Sequence, residues 1–281
     1  MREQKEVIRS SQNKHVSLAR GLSNKKIREE DHLFRFDGIK LMCEAVRQGT
    51  ELETLLVREG SEDAVFEKAE QLYGISESEI CCRIVTVCGE VFDKLTDEMA
   101  PEGVICIAKY CSSVHSAVDV NEKTVWSGDE KILLLESVRD PQNVGAIVRV
   151  AAAFGVDRII MSRDCADIYN SKTLRASMGT LFSMKIDRVP DMKSAIESLM
   201  SSGRRVFAAA LDRDSERLGR FDVSRGDCIV IGNEGHGLSA ETINACYKTV
   251  FIPMAAGVES LNAATAAAVL VWEFFGSRID G

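Results

Sequence analysis

The 281-residue sequence contains no run of about 18 uninterrupted apolar residues, so no membrane-spanning helix is expected. Its first stretch, MREQKEVIRSSQNKHV, has no apolar segment of the secretory kind, which argues against export and for the cytoplasm. Among nine cysteines there is no C-x-x-C pair and no Cys/His cluster, so neither structural zinc nor another metal is expected. The cysteine count is odd, and Cys81 and Cys82 are adjacent. That argues against a disulfide scaffold and for buried free thiols in a reducing compartment. The phosphate-loop pattern G-x-x-x-x-G-K-[ST] is absent, as are the dinucleotide fingerprint G-x-G-x-x-G and any acidic-G-x-G after a strand. A different nucleotide-dependent enzyme on a conventional doubly wound sheet is thereby disfavoured. No internal repeat and no strong low-complexity segment occurs.

What is present is 45% hydrophobic and 28% charged, the composition of a globular protein with a substantial core, in one large domain or two ordinary ones. The net charge of −8 argues against a generally basic nucleic-acid binder. Residues 1–28 reverse that sign. Arg2, Lys5, Arg9, Lys14, Arg20, Lys25, Lys26 and Arg28 stand against Glu3 and Glu6, a local +6 that leaves −14 for the rest of the whole-chain −8. Such a stretch is either a phosphate-contacting arm or a solvated helix face.

The hydrophobic pattern divides the chain. Up to about residue 110, helical patterns (GIKLMCEAVRQG, DAVFEKAEQLYG, EVFDKLTD) alternate with short strands (LETLLV, CRIVTV, GVICIAKY), which predicts a small α/β domain. Residues 111–130 are polar, Ser-rich and weakly periodic, the expected linker. From 131 to 281 the alternation is cleaner. Strands KILLLE, RIIMS, RVFAAAL, CIVIG and TVFIPM intersperse helices NVGAIVRVAAAFG, SKTLRASMG, DMKSAIESLMSSG, SAETINACY and SLNAATAAAVLVWEFF. Continuous apolar strands between helices predict a mostly parallel sheet covered on both faces, with ligands outside the carboxyl ends of the strands. The loops to examine are therefore SVRDPQN, GNEGHG and PMAAGVESLN.

In the first helix of this half, Val144, Ile147, Val148 and Ala151 form the expected buried stripe. Arg149 lies just off it, on the same side as Gly145, whose missing side chain leaves room for a guanidinium or a substrate. Asn143 stands at the helix entrance, where its side chain can cap backbone N–H groups. These three are either a nucleotide-facing set or an ordinary cap, packing glycine and solvated arginine. In GNEGHGLS, Gly232, Gly235 and Gly237 permit a tight turn and close approach of backbone to a ligand. Glu234 within that turn would repel a phosphate, which favours a ligand carrying positive charge, hydroxyls or amines. His236 is a possible acid/base group or a surface residue, and Ser239 is the expected cap of the next helix. In the last loop, Ser260 is expected to start the Ala-rich helix, and with Asn262 it brings polar groups to free N–H donors.

Together the three loops resemble the motifs of the SpoU (TrmH-like) family of RNA ribose 2′-O-methyltransferases, of the SPOUT class. They read DPQNVGAIVRVAAAFG, IGNEGHGLS and IPMAAGVESLNAATAAAV, and SKTLRASMG is similar to the family's segment between the first two. The resemblance is dense over 131–281. VIRSSQNKHVSLARGLSNKKIREEDHLFRFDGIKLMCEAV is similar, more loosely, to the substrate-binding domain of the rRNA-directed branch, whose fold is like kink-turn-binding ribosomal proteins. Gln142 replaces a frequent Gly, Ala263 a common Val, and Asp37-Gly38 the usual Glu-Gly. The resemblance implies a deep C-terminal trefoil knot, a homodimer, and S-adenosylmethionine as cofactor. The cofactor would be held at Gly232, Ile252 and Leu261, with Asn233, Gly235 and Met254 beside them. By the same resemblance Arg149, Asn143, Glu234, Ser260 and Asn262 are the catalytic set. Arg9, Lys14, Arg20, Lys25, Lys26 and Arg28 are the expected RNA contacts. The implied reaction is methyl transfer to a ribose 2′-hydroxyl, most readily in rRNA given the added N-terminal domain. The alternatives are tRNA as substrate, or an RNA-binding protein of the same fold without catalysis.

Overall fold

A computed structural model of the chain describes residues 6–116, 118, 120, 124–212, 214–257 and 260–276. Arg2 and Lys5 of the basic stretch, and Val258 and Glu259 of the last loop, lie outside them. Two compact units result. The first comprises residues 1–111 and 169–182, the second residues 112–168 and 183–281. The chain therefore passes between units at three places, and SKTLRASMG belongs to the first unit although both its sequence neighbours belong to the second.

The first unit carries helices α1 (Lys14–Gly21), α2 (Lys25–Asp31), α3 (Ile39–Arg47), α4 (Glu62–Tyr73) and α5 (Gly89–Asp93) around strands β1 (Leu33–Asp37), β2 (Leu52–Arg58), β3 (Arg83–Val87) and β4 (Val104–Lys109). The strand order is β1-β4-β2-β3, with β4 antiparallel to both neighbours and β2 parallel to β3. Strand β1, LFRFD, was not evident from its pattern because two of its buried residues are charged. Arg35 donates to the Ala19 carbonyl at 3.2 Å and to Asp97 at 3.0 Å, and Asp37 accepts from Thr96 Oγ1 at 2.8 Å and from the Asp97 N–H at 3.0 Å. Arg35 is thus paired and Asp37 hydrogen-bonded, as burial requires.

Arg28 departs from the expectation placed on it. It is buried, and its guanidinium donates to the carbonyls of Leu22 at 2.7 Å and Ser23 at 3.0 Å, satisfying chain ends that helix α1 leaves open. It is a structural residue and not a candidate phosphate contact. The other basic residues stay outside. Arg9 pairs with Glu59 at 2.9 Å, while Lys25 and Lys26 pair with Glu29 and Glu30 one helical turn on. Lys14 and Arg20 are exposed. An aromatic cluster takes the returning segment into this unit. Tyr169 stacks on Tyr110 at 4.1 Å between centroids and lies 4.5 Å from Phe34, and Phe182 lies 5.3 Å from Phe36. Helix α7 (Ser171–Ser177) lies between these anchors.

The second unit is one eight-stranded sheet. Its strands are β5 (Val114–His115), β6 (Ile132–Leu135), β7 (Arg158–Ser162), β8 (Lys185–Val189), β9 (Val206–Ala209), β10 (Glu216–Arg217), β11 (Cys228–Ile231) and β12 (Lys248–Phe251). Their order is β10-β12-β9-β11-β6-β7-β8-β5, and every pairing is parallel. Helices α8 (Met192–Ser201) and α10 (Ala263–Phe274) pack on it, with α6 (Pro141–Ala153) against α10 and α9 (Ala240–Ala245) against α8. The apolar runs are fully buried as expected: Ile132 to Leu135 and Cys228 to Val230 are without exposed surface, as are Val144, Ile147, Val148 and Ala151 of α6. Strand β8, KIDRV, was hidden for the same reason as β1. Asp187 is buried and paired with Arg158 and with His115 Nδ1 at 2.9 Å. The order reverses between β6 and β11, which makes that boundary the topological switch point.

The nine cysteines are free. Burial pushes the thiols of Cys43, Cys82 and Cys228 up to about 11 and that of Cys246 up to about 12, so these are unreactive as nucleophiles near neutral pH. No helix among the described residues is long and apolar enough to cross a membrane. Replacing Arg28 by Ala should cost about 2 kcal/mol, from bonds of a charged donor to buried carbonyls. Lys25→Ala and Lys26→Ala should each stay within about 0.5 kcal/mol. Urea unfolding of the three variants checks the contrast.

Candidate active site

Strands β6, β9, β11 and β12 end at one edge of the sheet, β6 on one side of the switch point and the other three on the other, and their loops build the site. After β6 the chain continues through Glu136 to Arg139 into α6. Asp140 is the cap of that helix, its Oδ1 accepting from Gln142 N–H at 2.6 Å, and Pro141 supplies a first-turn residue with no N–H to satisfy. The expectation that Asn143 caps the helix is thereby corrected: the position three residues earlier does so, which frees the Asn143 side chain. Asn143 Nδ2 donates to Glu234 Oε1, in the turn after β11, and Asn143 Oδ1 accepts from Asn262 Nδ2 at 3.0 Å, at the entrance of α10. Asn262 is itself the cap of α10, accepting from Ala264 N–H at 2.9 Å. The helix starts at Ala263, so Ser260 precedes it in the loop and does not open it.

The turn after β11 is closed by backbone. Asn233 N–H donates to the Gly237 carbonyl at 3.0 Å, and Gly237 N–H to the Asn233 carbonyl at 2.9 Å. Gly237 has φ +67°, and a Cβ on Gly232 would lie 2.5 Å from the Gly237 carbonyl carbon. The two glycines therefore have separate reasons: one supplies a left-handed backbone, the other a close approach of chain to chain. Asn233 locks the turn to its neighbours. Its Oδ1 accepts from Gly235 N–H at 2.8 Å, and its Nδ2 donates to the Ser137 carbonyl at 2.8 Å.

Residues not singled out from the pattern support this frame. Glu136 accepts from Ser239 N–H at 2.9 Å, Ser239 Oγ at 3.0 Å and Thr242 Oγ1 at 2.6 Å, so it shares the capping of α9 with Ser239, the expected cap. Ser137 has φ +57°, a conformation that costs a non-glycine residue about 1 kcal/mol. It is held there by donation from its N–H to Ser162 Oγ at 2.9 Å and from its Oγ to Asp164 at 2.6 Å. Burial would raise the Asp164 carboxyl. Hydrogen bonds from Ser137, Ser162 and Arg139 outweigh it and hold the group below the usual range, ionised at neutral pH. Only long-range geometry reveals these roles, since short polar residues after a strand carry no local signal.

The loops enclose a cavity of about 700 Å³, of the size small-molecule sites occupy. Its walls are Ala209 to Leu211 after β9, Ile231 to Glu234 after β11, Val250 to Ile252 and Met254 after β12, and Ser260, Leu261 and the first turns of α10. The floor is apolar. Glu234 stands on the wall, exposed, in the position suited to a cationic or amine-bearing guest. Of the expected residues, Gly232, Asn233, Glu234, Ile252, Met254, Ser260 and Leu261 line this cavity, and Asn143 and Asn262 are tied to its rim through Glu234. Gly235 and Arg149 do not line it. Gly235 serves inside the turn, while Arg149 is exposed on α6 with no ion-pair partner among the described residues. His236 is exposed in the turn. No group of three His, Cys, Asp or Glu residues suited to a metal occurs among the described residues.

The chain is similar to known proteins. The SpoU rRNA Methylase family matches residues 130–272, and the MRM3-like substrate binding domain matches residues 13–106. The chain is 27% identical over 270 residues to the 23S rRNA (guanosine(2553)-2′-O)-methyltransferase RlmP of Bacillus subtilis (strain 168), spanning 96% of this chain and 99% of that protein. It is similar to the crystal structure of an AdoMet-bound rRNA methyltransferase from Sinorhizobium meliloti, with a TM-score of 0.78 and 27% identity over 97% of this chain and 98% of the other. It is also similar to the SpoU methyltransferase AviRb from Streptomyces viridochromogenes in complex with AdoMet, with a TM-score of 0.78 and 26% identity over 96% and 100%.

The turn at the cavity wall yields a direct test. Gly232→Ala places a methyl group inside the contact distance of Gly237, so the turn must open. We expect a loss of more than about 1 kcal/mol, in the range of overpacking, together with loss of hydrogen-exchange protection at Gly237 N–H. Unfolding and exchange measurements on the variant check both.

Proposed function

This chain belongs to the SpoU rRNA methylase family, and we propose that it transfers a methyl group from S-adenosylmethionine to a ribose 2′-hydroxyl of rRNA. One observation carries the reading: the loops after β6 and β11 and before α10 meet through Asn143, at the rim of a cavity beside the switch point of a parallel sheet. The residues fit the cofactor. The cavity volume and apolar floor suit it, the bare backbone at Gly232 and the main chain of Ile252 and Leu261 would cradle it, and Asn233 and Met254 stand beside them. The Glu234 carboxylate suits a positively charged guest. When bound, the cofactor supplies a methyl group on an electrophilic sulfonium, which leaves little covalent chemistry to the protein.

The chain's own work is positioning and charge. Asn143 fixes the Glu234 carboxylate at one edge of the cavity and the entrance of α10 at the other, so the reacting ribose would meet a rigid rim. Ser260 and Asn262 add a hydroxyl and an amide to that rim. By the family resemblance Arg149 would be the proton acceptor. A guanidinium exposed on a helix does not lose its proton near neutral pH. We assign it instead to anchoring a phosphate and the developing oxyanion of the target nucleotide, with the 2′-hydroxyl proton passing to phosphate or water. Its lack of an ion-pair partner among the described residues leaves it available for that contact.

The finer expectations belong to the same reading. A trefoil knot would thread the C-terminal segment around the cavity, and a second copy of the chain would cover the outer face of α10, where Val269 and Trp272 are exposed. In the first unit, Arg9, Lys14, Arg20, Lys25 and Lys26 remain candidate RNA contacts. rRNA is favoured over tRNA because the MRM3-like unit accompanies the methylase.

The test is transfer of a labelled methyl group from S-adenosylmethionine to rRNA by the full chain, with the product mapped as an alkali-resistant 2′-O-methyl nucleotide. Methylation of tRNA alone would replace the substrate, and absence of transfer to any RNA would overturn the reading. Arg149→Lys keeps the charge but not the planar fork, and should lose at least about tenfold in kcat/KM. Nearly full activity in that variant would sink both the base and the anchor roles.

A further inference from the structure

Ser137 poses a question that the cavity does not answer. Among the described residues, three besides glycine have a left-handed backbone: His32, Ser137 and Met178. His32 and Met178 follow the last turns of α2 and α7, where that conformation is the ordinary way to end a helix. Ser137 ends no helix. Strain that no local structure explains gathers at functional sites.

The strain places Arg139. Asp164 accepts from Ser137 Oγ at 2.6 Å and from Arg139 at 3.2 Å through Oδ2, and from Ser162 Oγ at 2.6 Å through Oδ1. The Ser137 carbonyl is taken by Asn233, the residue that locks the β11 turn. An exposed arginine normally samples many rotamers, whereas Arg139 is tethered by one N–H to a carboxylate that two serines immobilise. Asp164 uses a single N–H, and the rest of the guanidinium fork remains for another acceptor. Beside it lies a recess of about 190 Å³, lined by Glu136, Ser137, Arg139, Asn233, His236 and the stretch Gly237 to Ser239. It shares Asn233 and Gly237 with the large cavity, so the two lie against the same turn. Asp164 is paired with Arg139 and held by its serines, and Glu136, whose charge also lines the recess, turns its oxygens to three donors at the start of α9.

We propose that this recess is a subsite for an RNA backbone phosphate next to the reacting nucleotide, with Arg139 and His236 as its binding groups and Asp164 as the positioning residue. The proposal rests on the methyltransferase reading for the identity of its ligand. Arg139 stands at the carboxyl end of β6, beside β11, where the strand order reverses. A strand whose ribose lies at the large cavity would have a neighbouring phosphate within reach of the other side of the turn. A planar fork matches a phosphate in two bonds, and an imidazole adds a third donor.

The experiment uses the full chain and an rRNA transcript in two arms, steady-state methyl transfer and filter binding across a salt series. Arg139→Gln should raise KM for the transcript about tenfold, more than kcat falls. It should also reduce the slope of log affinity against log salt by about 0.7 to 0.9, the loss of one phosphate contact. Arg139→Lys should restore the slope and recover only part of the affinity. Asp164→Asn removes a negative charge, which by field alone would strengthen RNA binding, yet it should raise KM because Arg139 loses its tether. His236→Ala should weaken binding by a smaller factor than Arg139→Gln. Lys193→Gln removes one positive charge from the α8 surface and should change neither KM nor slope. Calorimetric uptake of S-adenosylmethionine by each variant reports an intact fold. If the wild type methylates the transcript while Arg139→Gln keeps its KM and slope, the subsite is wrong and the methyltransferase reading stands. If KM rises with an unchanged slope, the contact is to a base and the phosphate assignment falls. If no methyl transfer occurs but binding shows the Arg139-dependent slope, the subsite stands and the reading of the reaction falls. Absence of RNA binding by the wild type overturns the subsite.

Discussion

The site depends on one side-chain amide. Asn143 donates a hydrogen bond to Glu234, 91 residues further along the chain, and accepts one from Asn262, 119 residues further along. A carboxamide can do both at once; a carboxylate could only accept, and a hydroxyl is too short to span the two loops. Each partner is already committed elsewhere. Asn262 caps α10 through its Oδ1, and Glu234 sits in a turn whose ends are bonded to each other. The amide therefore joins elements that are rigid on their own. Asn233 repeats the logic one layer below, holding the turn from inside and reaching Ser137 across the β6–β11 boundary. Loops that would otherwise be independent at the sheet edge form one wall.

The sheet explains why these loops meet at all. Strands β6, β7 and β8 proceed outward on one side, and the chain then crosses to build β9, β11 and β12 on the other. Parallel strands bring their carboxyl ends to one edge, and the reversal opens a crevice there. The apolar stripe of α6 is buried and the helix packs against α10, while its first turn reaches the rim of the cavity through Asn143. Packing and chemistry thus divide along one helix, the stripe below and Asn143 at the mouth. This is why an otherwise plain Ala/Val/Ile helix begins with polar residues.

Most of the second unit could be read from its pattern because its strands are continuously apolar and its turns are marked by glycine. Ser239 was legible as a cap, and the loops after β6, β11 and β12 were legible as the places to look. Much of what escaped shares one physical cause. LFRFD and KIDRV carry buried charges whose partners lie far away in sequence: Arg35 with Asp97, Asp187 with Arg158 and His115. A pattern of polarity cannot distinguish a paired buried charge from an exposed one. Arg28 was misread in the same way, as a surface cation and not as a donor to the end of α1. Of the two readings open for Asn143, the cap falls to Asp140, before the proline, and only the folded chain shows where the freed amide goes. Tyr169 to Phe182 looked like part of the second half, while its aromatic residues belong to a cluster with Phe34, Phe36 and Tyr110.

The central claim is that the converged loops form the pocket of a methyl donor, and amide hydrogen exchange of the full chain with and without saturating S-adenosylmethionine tests it most directly. The account predicts saturable uptake, with slowed exchange concentrated at Gly232 to Gly237, Ile252 to Met254 and Leu261 to Ala264, and little change in the first unit. No uptake, or protection centred away from those loops, would contradict it.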